Sequence, residues 1–261
     1  MTGKIKIATY NVNSIRSRLP VVMNWLDKNS PDILCMQETK VEDKNFPADD
    51  FTQAGYIPIF HGQKAYSGVT IVSKEKPKKI KIGLGDIDEP DQARLISANI
   101  AGINIINAYV PQGREMESEY FEYKTEWLFR FREYLNRNFT PKQKLLWCGD
   151  LNIAPENIDV YDPKGLKGHV DFNDIMTQIF HDFIAWGFID IFRKHKPEGG
   201  HFTYFDFRAK GTVERNVGWR VDHILATKSL AKKSVDSYID MKPRKGEKPS
   251  DHTPLVAEFE I

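Results

Sequence analysis

The chain is short of cysteine, of long apolar runs and of charge of one sign, and each shortage excludes something. Its 261 residues include 2 cysteines, Cys35 and Cys148. Two cannot build a disulfide framework, and each lies in a short apolar run (DILCMQ and LLWCG) where a reduced, buried thiol is expected. No apolar run approaches the ~18 residues of a membrane span. The start, MTGKIKIATYN, alternates like a strand and carries neither an apolar h-region nor a cleavage pattern, so no secretory leader is expected. The composition therefore predicts a soluble, cytoplasmic protein without a membrane partner. Lys+Arg number 37 against 36 Asp+Glu, a formal net charge of +1. That excludes nucleic-acid binding by bulk electrostatics, but not nucleic acid as a substrate held by a few well-placed groups. No Pro-, Gly- or Ser-rich linker and no tandem repeat divides the chain, so one domain over residues 1–261 is expected.

What is present is core-forming. Hydrophobic residues make up 41% and aromatics 12%, which argues against disorder. Strand-like segments are predicted at Lys4–Tyr10, Ile33–Met36, Gly55–Phe60, Ser67–Ser73, Leu95–Ile100, Ile103–Val110, Leu145–Cys148, Phe202–Phe207, Arg220–Ala226 and Leu255–Phe259. Helical spacing is predicted over Ser17–Asn29 with Ser17 as its cap, over Ser118–Arg137, and over 171–186 closing at Gly187. This mixture predicts a layered α/β or α+β architecture. Two lysine-rich stretches, Lys74–Lys81 and Lys228–Lys248, read either as solvated surface or as a positive rim beside a polyanion.

The informative feature is where polar residues interrupt the apolar runs. Asn11 and Asn13 follow KIKIATY, Gln37 and Glu38 follow DILCM, and Tyr109 and Gln112 fall in NAYVPQG. Asp150 and Asn152 follow LLWCG, Asp222 sits in WRVDHIL, and Asp251-His252 precedes TPLVAEF. Positions i and i+2 of an extended chain face the same way, so Asn11 is expected beside Asn13 and Asp150 beside Asn152. If the strands share one sheet edge, these groups converge in one cleft. Carboxylate and amide oxygens without clustered Cys or His suit hard divalent cations, chiefly Mg²⁺ or Mn²⁺. The ligand types exclude a structural zinc site, and no twelve-residue loop of alternating acids suggests an EF-hand.

ATYNVNSIRSRL, PDILCMQETK, YSGVTIVSK, NAYVPQG, WCGDLNIAP, RNVGWRVDHIL and PSDHTPL occur in this order. In these motifs the sequence resembles the exonuclease III family of abasic-site DNA endonucleases, within the endonuclease/exonuclease/phosphatase superfamily. The likeness runs from Ile5 to Glu258. It implies a four-layered α/β sandwich, with two mixed, mostly antiparallel sheets packed face to face and helices outside. It also implies a monomeric, Mg²⁺-dependent DNA repair nuclease, with Mn²⁺ as a substitute metal. Such an enzyme hydrolyses the phosphodiester 5′ to abasic sites in double-stranded DNA, and 3′-phosphodiesterase and 3′→5′ exonuclease activities accompany this in relatives.

Carried over by position, Glu38 would be the principal metal ligand, supported by Asn11 and Asp251, with Asp150, Asn152 and His252 as further candidates for the metal's surroundings. Asp150 would orient or deprotonate the attacking water, with Asn152 beside it. His252 would contact the scissile phosphate, oriented by Asp222, and Tyr109 would sit near the same phosphate. Trp219 and Val221 would line, with Phe202, a pocket for an extruded abasic sugar. Asn13 and Gln112 would border the DNA, and Arg114 and Met116 would enter its grooves as clamp or wedge. Adjacent strand residues point oppositely, so Asp222 and His252 are read as partners and His223 as turned away and structural. Asn13 stands where some relatives carry Asp, and His169 falls near the place where some eukaryotic relatives carry asparagines directed at DNA. Two rivals remain: a phosphatase or phosphodiesterase of the same superfamily acting on non-DNA esters, and a DNA-binding scaffold without catalysis.

Overall fold

A computed structural model describes residues 3–86 and 92–261. Among these residues two six-stranded sheets face one another. The first runs β11 (Ser234–Ile239), β12 (Leu255–Glu260), β1 (Lys4–Asn11), β2 (Ile33–Gln37), β4 (Val69–Ser73) and β3 (Ile57–His61). The second runs β5 (Lys78–Ile82), β6 (Leu95–Ile100), β7 (Ile103–Tyr109), β8 (Leu145–Asp150), β10 (Asp222–Thr227) and β9 (Phe188–Asp190). Each sheet contains one parallel pair, β1 with β2 and β7 with β8, and its other pairings are antiparallel.

A parallel pair requires a crossover, and a helix supplies each. The helix α1 (Ile15–Asn29) joins β1 to β2, and α3 (Glu119–Asn138) joins β7 to β8. Short α2 (Ala48–Gln53), α5 (Ile191–His195) and α6 (Lys228–Ala231) and the longer α4 (Asp174–Trp186) complete the helices of the described residues. Ile7, Cys35, Ile71, Ile105, Cys148 and Ile224 pack between the sheets. On the outer faces Trp25, Leu26 and Phe51 cover the first sheet, while Trp127, Phe131 and Phe183 cover the second. Buried on both faces, the central strands are continuously apolar rather than alternating, which is why they read as short hydrophobic runs. The expected four-layered α/β sandwich is the observed fold. No helix among the described residues is long and apolar enough to cross a membrane.

Two local expectations are corrected. The first helix begins at Ile15, and Ser17 does not cap it. The backbone N–H groups of Ser14 and Ile15 donate instead to the carbonyls of Glu38 and Thr39, at 2.7 and 3.0 Å, so a distant loop does the capping. Residues 202–207 form no strand, only two isolated bridges at Tyr204, to Trp219 and to His252. Their N–H groups reach both Trp219 and Asp251, spanning two segments instead of following one neighbour. The lysine-rich stretch at 74–81 contains the exposed edge strand β5, whose lysines discourage edge-to-edge pairing.

Candidate active site

The parallel pairs decide where the polar residues go. β1, β2, β7 and β8 deliver Asn11, Glu38, Tyr109 and Asp150 at their carboxyl ends. The antiparallel β10 starts at Asp222, opposite Asp150, and the antiparallel β12 is preceded by Asp251 and His252. Six strand ends from two sheets thus open on one edge of the sandwich. Gly149 permits the close approach of β7 and β8: a Cβ there would lie 1.8 Å from the Ala108 carbonyl oxygen.

Within this edge the Asn11 amide donates to Glu38 Oε1 at 2.7 Å and to Asp150 Oδ2 at 2.8 Å. Its oxygen accepts the Asn13 N–H, so its NH₂ faces the two carboxylates. The expected alignment of Asn11 with Asn13 fails because Asn13 has φ 43° and the extended chain ends before it. Asn13 turns to Asp251 Oδ1, at 3.0 Å, and accepts from the Lys40 ammonium at 2.7 Å. Asn152, at φ 49°, also leaves the strand; its N–H donates to Asp150 Oδ1 and its amide to the Val110 carbonyl. Glu38 has φ 51°. Positive φ in non-glycine residues concentrates at functional sites, where surrounding structure holds a costly conformation.

His252 Nδ1 lies 2.7 Å from Asp222 Oδ2, and Nε2 lies 3.7 Å from Asp150 Oδ2. Burial alone would lower the imidazole pKa, but the Asp222 and Asp150 carboxylates outweigh it and hold it up to about 10. Burial pushes the Asp150 carboxyl up to about 8; His252 and Asn11 oppose the rise, while Asp222 and Glu38 add to it. Burial, and then the charges of Glu38 and Asp150, drive the Tyr109 phenol well above its usual range, so it stays neutral. Arg94 lies 4.8 Å over the Tyr109 ring.

Glu38, Asp150 and His252 each offer a ligand atom within 4.8 Å of the others. The donor set fits a hard divalent cation. Two carboxylates share the space, and cationic or N–H groups already crowd them: Lys40 Nζ stands 2.7 Å from Glu38 Oε2, beside the Asn11 amide. Asp251 lies on the same cavity wall but outside this tight group.

A cavity of about 360 Å³ is lined by Glu38, Tyr109, Gln112, Asp150, Asn152 and His252 and also by Trp219 and Val221. Phe202 is not on its wall; it is buried behind, packed against Phe205 and lining a separate cavity. Arg114 lies in an adjoining cavity with its guanidinium 3.9 Å over Tyr120. Met116 is half-buried against the α3 and α4 core rather than standing free as a wedge. His223 points away, its Nε2 2.8 Å from the Ile153 carbonyl. Six neighbours carried no assignment from sequence: Lys40, Lys124, Asp171, Asp206, Arg208 and Tyr204, whose ring lies 5.0 Å from that of His252. For Lys40 its place in QETK was a usable signal, whereas Lys124 looked like any charge on an amphipathic helix.

Beneath the cavity Arg220, between Trp219 and Val221, is fully buried and donates to Asp159 and Asp190 at 2.7 and 2.8 Å. Arg193 also pairs with Asp159. Burial alone would raise both carboxyls, but Arg220, joined by Arg193 at Asp159 and His223 at Asp190, holds them below the usual range. Depressed folded pKa values contribute stability above the unfolded value of about 3.9, and that stability is lost as pH falls through the folded values. Arg220→Met should therefore cost about 3–5 kcal/mol at neutral pH by leaving buried charges unpaired. Urea unfolding at pH 7 and pH 3 checks this: the loss should shrink in acid, and an equal loss at both would refute the linkage.

A polar cleft that fits a divalent cation, set on the edge of a two-sheet α/β sandwich, defines a class of hydrolytic site. Residues 8–252 match the Endonuclease/Exonuclease/phosphatase family model, and the chain belongs to that family. It is 33% identical to the exodeoxyribonuclease III of Haemophilus influenzae, covering 98% of this chain and 100% of that protein. Among solved structures, an AP endonuclease from Archaeoglobus fulgidus superposes with a TM-score of 0.96 at 50% identity, covering 98% of this chain and 100% of that one. A 3′ phosphatase from Neisseria, bound to a product DNA hairpin, gives 0.95 at 37% identity with the same coverage.

Proposed function

We propose that the protein is a Mg²⁺-dependent DNA repair nuclease, acting as a monomer through one catalytic domain over residues 1–261. It hydrolyses the phosphodiester 5′ to abasic sites in double-stranded DNA, with 3′-phosphodiesterase and 3′→5′ exonuclease activities beside this. The observation that carries the reading is the single cavity lined by Glu38, Asp150 and His252, the last held from behind by buried Asp222, together with Trp219 and Val221. The reactive groups and an apolar wall suited to a base-free sugar share one space.

Asp150, buried and raised to about 8, takes the proton of the attacking water. Asn152 is tied by its N–H to Asp150 and keeps that carboxylate aimed. The Asp222-held imidazolium of His252 donates to the phosphate oxygens on which charge builds. Tyr109, kept neutral, serves as a donor to the same phosphate, not as a nucleophile. Glu38 would hold Mg²⁺ or a substituting Mn²⁺, with Asp251 farther along the same cavity wall, and Asn11 orients Glu38 and Asp150 through its NH₂. Bound there, the metal supplies positive charge to the non-bridging oxygens. Gln112, on the cavity wall, and Asn13, bonded to Asp251, would border the DNA, with Arg114 in the adjoining cavity.

The test is a parallel assay of an abasic duplex, a recessed 3′ end, a 3′-phosphate end and a uracil-containing duplex, each with Mg²⁺. Cleavage 5′ to the abasic site is the expected result. Turnover of inositol phosphates or sphingomyelin alone would transfer the assignment to the non-DNA phosphatase reading.

A further inference from the structure

Lys124 is the one fully buried lysine among the described residues, and the chemistry above does not use it. It projects from α3 away from solvent, and its ammonium has three protons to place. Nζ lies 2.6 Å from the Asn152 carbonyl, 2.7 Å from Asp171 Oδ1 and 3.3 Å from the Val170 carbonyl, with the Gln112 carbonyl at 3.5 Å. These acceptors come from three separate segments: the loop after β8, the loop before α4, and the PQG turn after β7. Gln112, Asn152 and Asp171 line the cavity, and Lys124 does not.

The segments are built around this side chain. Gly113 has φ +79°, and a Cβ there would lie 2.8 Å from Val170 Cγ2 and 2.9 Å from Lys124 Cδ, so the turn closes over the lysine stem only as glycine. Asn152, held at φ 49°, is pinned at three points: its N–H on Asp150, its amide on Val110, and its carbonyl on Lys124. Asp171 is tied to the same loop through the Ala154 N–H, and its N–H meets His169, whose ring lies 4.7 Å from Trp219.

We propose that Lys124 is a positioning residue whose buried ammonium fixes the Asn152 peptide, and through it the aim of Asp150, to the Asp171 wall of the nucleotide pocket. The proposal rests on the nuclease reading. It makes Lys124 the link between the part of the cavity that does chemistry and the part that receives the extruded sugar. Misplacement of a reacting group by about 1 Å costs roughly 10²-fold in rate.

The decisive pair of variants is Lys124→Met and Lys124→Met/Asp171→Leu. The single variant leaves the Asp171 carboxylate without its cation and loses both stability and rate. The double variant removes that orphaned charge and should recover the melting temperature, because an apolar pair can replace a buried ion pair. It cannot restore the tie to the Asn152 carbonyl. The expected result is therefore a stable protein whose single-turnover rate on an abasic duplex, measured at saturating DNA, is lower by about 10²-fold. A double variant that recovers stability and rate together would reduce Lys124 to a structural ion pair and overturn the proposal. Amide hydrogen exchange at residues 151–154, faster in the double variant than in wild type, reads the same positioning without turnover. Unchanged exchange there would also overturn it. Should the wild-type protein cleave none of the duplexes, the nuclease reading fails, while the exchange measurement still decides whether Lys124 holds Asn152.

Discussion

Asp150→Asn is expected to lower the single-turnover rate by about 10³-fold while leaving DNA affinity intact, since a positioned general base contributes 10²–10⁴. Asp150 is 1% exposed, at the floor of the cavity, and holds hydrogen bonds from Asn11 and the Asn152 N–H. An amide of the same shape keeps an oxygen for one of these donors, sets its NH₂ against the other, and cannot accept the proton of water. Burial of the native carboxylate is costly, as its upward shift to about 8 records, and relief of that cost offsets the lost hydrogen bond. Binding should hold, because the amide adds no charge to a cleft that must admit a phosphate. Rates from quenched time courses and affinities from titration without turnover separate the two effects. A rate near wild type would remove Asp150 from the mechanism.

Chelation is expected to abolish turnover, and Mg²⁺ to restore it. Glu38, Asp150 and Asp251 line the cavity with Asp222 buried behind His252, and His252 and Lys40 only partly offset these acids. A phosphate diester entering this space meets like charge. At a spacing of about 4 Å and an effective dielectric near 20, each uncompensated pair costs about 4 kcal/mol, or nearly 10³ in binding or rate. The fit of the donor set to a hard cation is the structural counterpart of that penalty. Glu38→Gln should accordingly raise the Mg²⁺ concentration needed for half-maximal rate. Undiminished cleavage in excess EDTA would sink the metal assignment.

The near-neutral total that excluded bulk electrostatic binding conceals this arrangement. Acids that cancel the lysines in the count include those gathered at one edge of the sandwich. Net charge is a sum, and recognition of a polyanion depends on where the charges sit.

Much of the site was legible in sequence for a physical reason. Each participating strand is buried on both faces, so an Asn, Glu or Asp at its end stands out against an apolar run, as with Asn11, Glu38, Asp150 and Asp222. The pairing of Asp222 with His252, and the exclusion of His223, followed from alternation along a strand. Alternation failed where the backbone left the strand: Asn13 and Asn152 have positive φ, which residue type permits but does not announce. Phe202 was placed on the pocket wall by likeness of motif, and the packing against Phe205 puts it behind that wall.

By itself, then, the sequence determined the layers, the central strands and the kinds of group at their ends, because burial pattern and turn chemistry are local. Tertiary structure alone decided which groups meet. Lys40 turns toward Glu38 and Asn13, the first helix is capped by the Glu38–Thr39 carbonyls, and Lys124 collects carbonyls from three loops. Such contacts join residues far apart in the chain, and no local period or propensity encodes them.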